Sequence, residues 1–254
     1  MRSAALAVGA LLVCGVATAQ PAPAARRSGF EEMGTALQAM QRDDAANPAM
    51  LWVQDGEQLW KRPAGGAPAC SGCHGDLSAM KGVAARYPAF DERLQRPVDL
   101  ATRIRLCIER HQQTPPPPPE HQDLLALEAA IATQSRGLPI APPADPRLAP
   151  LRERGAALYA QRVGQLNLSC AQCHDQLAGG KLAGAPIPQG QASGYPLYRL
   201  EWQSLGSLGR RIRGCMTGVR AEPLAFGSVE LAQLEAYLAA RAAGMPLESP
   251  AVRP

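Results

Sequence analysis

The sequence predicts a mainly α-helical fold made of two tandem copies of one module, and three observations carry that prediction. Apolar residues recur at helical spacing in several short stretches, the pattern C-x-x-C-H occurs twice, and matched segments return about 100 residues apart. The 254 residues are 46% hydrophobic and 19% charged, which allows one or two domains with a real core. Aromatic residues make up only 4%, and 24 glycines and 24 prolines punctuate the chain. Elements are therefore expected to be short and packed around something other than Phe and Trp.

The first residues read as a leader. Arg2, the apolar stretch from Ala4 to Val13, and Ala17-Thr18-Ala19 before Gln20 together predict a cleaved secretory signal peptide over residues 1–19, with export to the periplasm. Val13 is a poor residue before a lipid-bearing cysteine, so Cys14 is not read as an anchor. The apolar run from Ala4 to Ala19 is shorter than the roughly 18–20 residues of a membrane span, which excludes an integral membrane protein. Loss of Arg2 with the leader lowers the net charge from +4 to +3, too little and too dispersed for a nucleic-acid footprint.

Six cysteines in an exported chain would ordinarily suggest disulfides. Their spacing points elsewhere. Cys70-Ser71-Gly72-Cys73-His74 and Cys170-Ala171-Gln172-Cys173-His174 are both attachment sequences for c-type haem: the two thiols take the two vinyl groups, and the histidine binds iron from the proximal side. Two covalent haem c groups are thus predicted, held by Cys70, Cys73, Cys170 and Cys173, with His74 and His174 as iron ligands. Two porphyrins also explain the scarcity of aromatic side chains.

The remaining pair, Cys107 and Cys215, sits in matching contexts, Arg103-Ile104-Arg105-Leu106-Cys107 and Arg211-Ile212-Arg213-Gly214-Cys215. The repeat extends from Gly56-x-x-Leu59-Trp60 and Gly155-x-x-Leu158-Tyr159 to Leu127-Glu128-Ala129 and Leu234-Glu235-Ala236, and then to Gly137-Leu138-Pro139 and Gly244-Met245-Pro246. The expected architecture is two class I cytochrome c-like haem domains related by internal duplication, at residues 20–140 and 141–254, with Pro142, Pro143 and Pro146 marking the linker. Helical spacing is seen in Phe30, Met33, Leu37 and Met40, in Leu124, Leu127 and Ile131, and in Leu231, Leu234 and Leu238. Ser228 reads as an N-cap and Gly244-Met245-Pro246 as a helix stop. No run alternates long enough to predict a sheet. The five prolines from Pro115 to Pro119 read as a stiff surface connector.

Met80, His111 and Met216 are conventional candidates for the sixth iron ligand. The one residue type that recurs in both halves is cysteine, 33 residues past His74 for Cys107 and 41 past His174 for Cys215, so His/Cys axial ligation is assigned to both haems. A thiolate donor stabilises ferric iron and lowers the potential. A disulfide between the two thiols is the competing reading. An arginine four residues before each cysteine lies one helical turn away on the same face. Arg103 and Arg211 could hold a thiolate charged, pair with a haem propionate, or bind an anion. In the second half, Gly214, Gly218 and Arg220 leave space and positive charge around Cys215, which suits a small oxyanion as well as a structural role.

The run Cys215-Met216-Thr217-Gly218-Val219-Arg220-Ala221-Glu222-Pro223, with Ser169-Cys170-Ala171-Gln172-Cys173-His174-Asp175, resembles the SoxA family, the A subunits of the SoxAX cytochromes of bacterial thiosulfate oxidation. The resemblance covers residues 30–244. It implies an L-cysteine S-thiosulfotransferase that joins thiosulfate oxidatively to a cysteine of a SoxYZ-like carrier, passes two electrons to c-type haem, and works with a SoxX-like monohaem cytochrome c. Cys215 then matches the family's reaction centre, an axial ligand found as a persulfide, and Arg211 its substrate-positioning arginine. Cys107 matches the distal ligand of the first haem, a site that other members have lost. Thiosulfate dehydrogenase, which joins two thiosulfates into tetrathionate, and a dihaem electron carrier with no substrate are the alternatives.

Overall fold

Each half of the chain is built on a pair of helices that cross through a glycine. In the computed structural model, which describes residues 25–182 and 184–254, α2 (Ala49–Lys61) packs on α5 (Gln122–Thr133), and α6 (Ala149–Ala160) packs on α8 (Val229–Arg241). The leader read at residues 1–19, with Arg2 and Cys14, lies outside the described residues. A Cβ on Gly56 would lie 2.1 Å from the Ala126 carbonyl oxygen, and one on Gly155 would lie 2.1 Å from that of Gln233. Only a residue without a side chain permits that approach, so both copies of the repeat keep the glycine.

The predicted helical stripes form the cores. Trp60, Ile104, Leu124, Leu127 and Ile131 cluster in the first half, and Tyr159, Ile212, Leu231, Leu234 and Leu238 take the matching places in the second. Burying such side chains contributes roughly 1.5–3 kcal/mol each, and this is what holds each helix pair together. Ser228 caps α8, its Oγ accepting from the Leu231 N–H at 3.2 Å, and Gly244 (φ +83°) lies just beyond the helix end. The first stripe is helical only in part. α1 spans Thr35–Arg42, because Gly34 is extended (φ −65°, ψ 153°) and leaves Phe30 and Met33 in turns before it.

Short strands, which the sequence did not announce, frame the cysteine helices. β1 (Ala89–Asp91) pairs antiparallel with β2 (Arg96–Val98), and β5 (Leu197–Arg199) with β6 (Ser204–Gly206), while β7 (Ala251–Arg253) lies parallel to β5. A smaller hairpin, β3 (Lys181–Leu182) with β4 (Ala185–Pro186), follows the second C-x-x-C-H motif. Strands of two or three residues are too short for alternation to register.

The β1–β2 and β5–β6 hairpins share one register: Asp91 faces Arg96 as Arg199 faces Ser204. Their turns match as well. Gln95 (φ +52°) donates its N–H to the Asp91 carbonyl at 2.8 Å, and Gln203 (φ +49°) donates to the Arg199 carbonyl at 2.8 Å. Asp99 and Ser207 then cap α4 (Leu100–Cys107) and α7 (Leu208–Gly218), accepting from the Thr102 N–H at 2.7 Å and the Arg210 N–H at 3.0 Å. From strand to cysteine, one constant offset of 108 residues relates the halves.

The halves also interlock. The repeated Gly-x-Pro segments pair with each other: Ile140 donates to Met245 at 2.9 Å, Gly244 to Ile140 at 2.8 Å, Gly137 to Leu247 at 2.8 Å and Leu247 to Leu138 at 2.9 Å. Glu128 and Glu235, matched residues of α5 and α8, line one cleft between the halves with Asp99 and Glu120. Pro146 opens the short turn that leads into α6, and Arg105 ties down the proline run through its Nε, which donates to the Pro117 carbonyl at 2.8 Å. Among the described residues, no helix is long and apolar enough to cross a membrane.

Candidate active site

Each C-x-x-C-H motif occupies about one and a half helical turns, α3 (Cys70–His74) in the first half and residues 170–176 in the second. A turn of helix places both thiols and the imidazole along one side, and Cys70 and Cys170 pack against the two apolar clusters. His174 Nδ1 lies 2.7 Å from the Pro188 carbonyl oxygen, which orients the ring and leaves Nε2 for a metal. Gly190 (φ +68°) lets the backbone pass this ring, since a Cβ there would sit 3.0 Å from His174 Cγ. The His74 ring stands 5.8 Å from Trp60, whose indole N–H donates to the Gly75 carbonyl at 2.9 Å. Paired thiols, an imidazole with one nitrogen committed to a carbonyl, and an apolar wall beside them fit a covalently attached haem.

α4 and α7 carry the remaining cysteines toward these motifs. Cys107 lies close to Cys70 and Cys73, and Cys215 lies close to His174. All six cysteines of the described residues are free thiols, so the alternative of a Cys107–Cys215 disulfide is not realised. Among the other ligand candidates, Met80 and Met216 pack against the two apolar clusters and His111 is exposed on the turn Ile108–Gln112.

The two cysteines differ in charge preference. Burial and the neighbouring Cys73 push the Cys107 thiol up, against the pull of Arg103. Burial pushes Cys215 up as well, but the neighbouring His174 and the charges of Arg211 and Arg199 prevail and hold it below the usual thiol range. Cys170 is pushed up to about 11, mainly by burial.

The matched arginines part ways too. Arg103 Nη1 donates to Asp91 Oδ2 at 2.8 Å, with Arg110 on the same oxygen at 3.6 Å. Among the described residues, the Arg211 side chain makes no hydrogen bond and no ion pair. Arg220 is exposed with φ +58° and presents its carbonyl to the Gln165 N–H. Two residues that the sequence reading missed complete the surroundings of Cys215 and Arg211. Tyr195 is pushed up to about 12 by burial, and Arg199 is held below the ordinary guanidinium range by burial and by Arg211. No motif signals either residue; the 108-residue offset would have found them as partners of Tyr87 and Asp91.

Against known proteins, the SoxA/TsdA cytochrome c domain model matches this chain twice, over residues 55–140 and 154–247. The chain belongs to the SoxA/TsdA cytochrome c family. Its fold is therefore two tandem cytochrome c-like domains, and covalent haem c is the cofactor that such domains carry. The L-cysteine S-thiosulfotransferase subunit SoxA of Rhodovulum sulfidophilum is 34% identical over 94% of this chain and 86% of its own length. That of Pseudaminobacter salicylatoxidans is 38% identical over 83% and 75%. The crystal structure of SoxXA from P. pantotrophus matches with a TM-score of 0.87 and 30% identity, covering 90% of this chain and 87% of the other.

Proposed function

We propose that this SoxA/TsdA-family chain is an L-cysteine S-thiosulfotransferase subunit, which joins thiosulfate to a cysteine of a SoxYZ-like carrier protein in the periplasm. The observation that carries this reading is the second half's Cys215, close to His174 and four residues from an Arg211 whose side chain has no hydrogen-bond or ion-pair partner among the described residues. Two haem c groups would be held covalently by Cys70/Cys73 and Cys170/Cys173, with His74, Cys107, His174 and Cys215 available to bind their irons. When bound, the second haem supplies a one-electron acceptor beside the reacting sulfur.

The chain's own residues do the rest. Arg211 offers a fork of N–H donors to the sulfonate oxygens of thiosulfate, which orients the sulfane sulfur toward Cys215. Joining the Cys215 sulfur to that sulfane sulfur forms an S–S bond and gives up two electrons, which the haem would take singly and hand on to the partner cytochrome and the acceptor beyond it. His174, fixed by Pro188, holds its ring in place throughout. A thiolate on the carrier then attacks the sulfane sulfur, takes the thiosulfonate group, and releases Cys215 as the leaving thiolate. A SoxX-like monohaem cytochrome is the assigned partner.

The test is to supply the haem-loaded protein and its partner cytochrome with thiosulfate, carrier and an electron acceptor, and to weigh the carrier by mass spectrometry while assaying tetrathionate. A thiosulfonate adduct on the carrier cysteine is expected. Free tetrathionate with an unmodified carrier would reassign the chain as a thiosulfate dehydrogenase, and neither product would reduce it to an electron carrier.

A further inference from the structure

The duplicated hairpins give a direct measure of what the side chain at the end of the first strand can reach. In the first half that residue is Asp91, and its Oδ2 lies 2.8 Å from Arg103 Nη1 on the neighbouring helix α4. In the second half the same register position holds Arg199, and the same position of α7 holds Arg211. The exchange replaces a neutralising carboxylate by a second guanidinium. Two like charges are thus directed at one place, an arrangement that is unfavourable unless an anion joins them.

Arg199 is held so that it cannot turn away. Its Nε donates to the Pro254 carbonyl at 2.7 Å, its guanidinium carbon lies 5.1 Å from the Trp202 ring centroid, and its Nη2 pairs with Glu201 at 2.8 Å. Glu201 is 64% exposed while the Arg199 side chain is 15% exposed, so water screens that carboxylate, and Nη1 has no hydrogen-bond partner among the described residues. Arg210 also lies over the Trp202 ring, 4.2 Å from its centroid, so the indole is held by two arginines and braces Arg199. The depressed basicity of Arg199 and the influence of its charge on Cys215 agree with this placement.

We infer that Arg199 is a second substrate-binding residue, which with Arg211 clamps the oxyanion end of thiosulfate, and that the Asp91-to-Arg199 exchange between the two halves is what makes only the second an anion site. The inference rests on the transferase reading, but binding can be measured apart from turnover. The experiment uses the haem-loaded complex and titrates thiosulfate by calorimetry, without carrier or electron acceptor. Thiosulfate KM and kcat are then measured with both present.

Arg199→Gln should raise the calorimetric Kd and the KM about 10- to 100-fold and change kcat less than about threefold, because it removes charge-assisted donors made equally to bound substrate. Arg199→Lys should recover part of the loss, keeping the charge without the fork. Arg199→Asp recreates the first half's pairing beside Arg211 and should bind weakest. Haem content and visible spectra report folding, and should Arg199→Asp fail to load, the Gln and Lys variants decide.

Haem-loaded Gln and Lys variants that bind thiosulfate as tightly as the parent overturn the inference, as does a shift in haem potential with KM unchanged, which would make Arg199 a propionate partner. A parent protein that binds thiosulfate, with the Gln variant weakened, yet forms no carrier adduct would overturn the transferase reading and leave the inference standing.

Discussion

The two halves of this protein use one scaffold to opposite electrostatic ends. In the first, Asp91 answers Arg103 at 2.8 Å, and Cys107 is pushed toward its neutral thiol by burial and a neighbouring cysteine. In the second, the carboxylate is gone, Arg211 stands unpaired, and Cys215 is drawn toward its thiolate by His174 and two arginines, against burial. Helix crossings, hairpin register and caps are the same, so the difference comes from a few side chains at matched positions. At these matched positions the halves differ in side chains: the second has no carboxylate opposite its arginine.

The sharpest way to break the comparison is to remove each cysteine. Cys215→Ala should lower carrier modification by at least about 10³-fold while both haems stay attached, whereas Cys107→Ala should leave it within about tenfold. Adduct formation on the carrier, read by mass, checks both; equal losses would mean that the halves are not chemically distinct. Next come the arginines. Arg211→Gln should raise thiosulfate KM about 10- to 100-fold, and Arg103→Gln should leave KM alone. Arg103→Gln should instead lower the melting temperature by roughly 2–4 °C, about 1 kcal/mol, a modest figure because Arg103 is 35% exposed.

Asp91 sharpens the picture through pH. Burial pushes its carboxyl up, but the Leu94 and Arg93 amides and Arg103 prevail and hold it below the usual range. Its stabilisation is therefore present above the unfolded value near pH 4 and lost as pH falls through the lower folded value. Melts of the parent between pH 5 and pH 2 should show that loss, and Asp91→Asn should lack it.

The smallest effect lies at the seam. Burial, with the charges of Asp99 and Glu120, raises Glu128 and Glu235 well above ordinary carboxyls, and Glu128 Oε2 is buried without a partner. An acid raised on folding costs stability as pH climbs from about 4 through its folded value. Glu128→Gln and Glu235→Gln should therefore each add about 1 kcal/mol at pH 8 and nothing at pH 4, as measured by denaturant unfolding.

Much of this was legible in the sequence, for reasons specific to each feature. The haem motifs, the cysteine–arginine pairs and the glycines of the helix crossings are local patterns whose spacing is fixed by a helical turn or by a backbone approach. The buried stripes of α5 and α8 follow from their periodicity. The strands escaped because three residues cannot display a period of two, and α1 came out shorter because Gly34 stops a stripe that hydrophobicity alone would extend. Arg199 and Tyr195 were hidden because each belongs to no motif. Their meaning lies in a comparison with residues 108 positions earlier, and that alignment becomes secure only when the two hairpins are seen in the same register.

The pairing of the two Gly-x-Pro segments bears on how such a duplicated chain can age. Each half leaves its last helix by hydrogen-bonding to the other's exit, so neither can be excised without exposing backbone groups of its twin. A descendant of this chain is free to lose Cys70, which packs on the first half's own apolar cluster and not on the second's. It is not free to discard the first half. The retired module would persist as a brace, inherited for the bonds it lends to its neighbour after its own chemistry had gone.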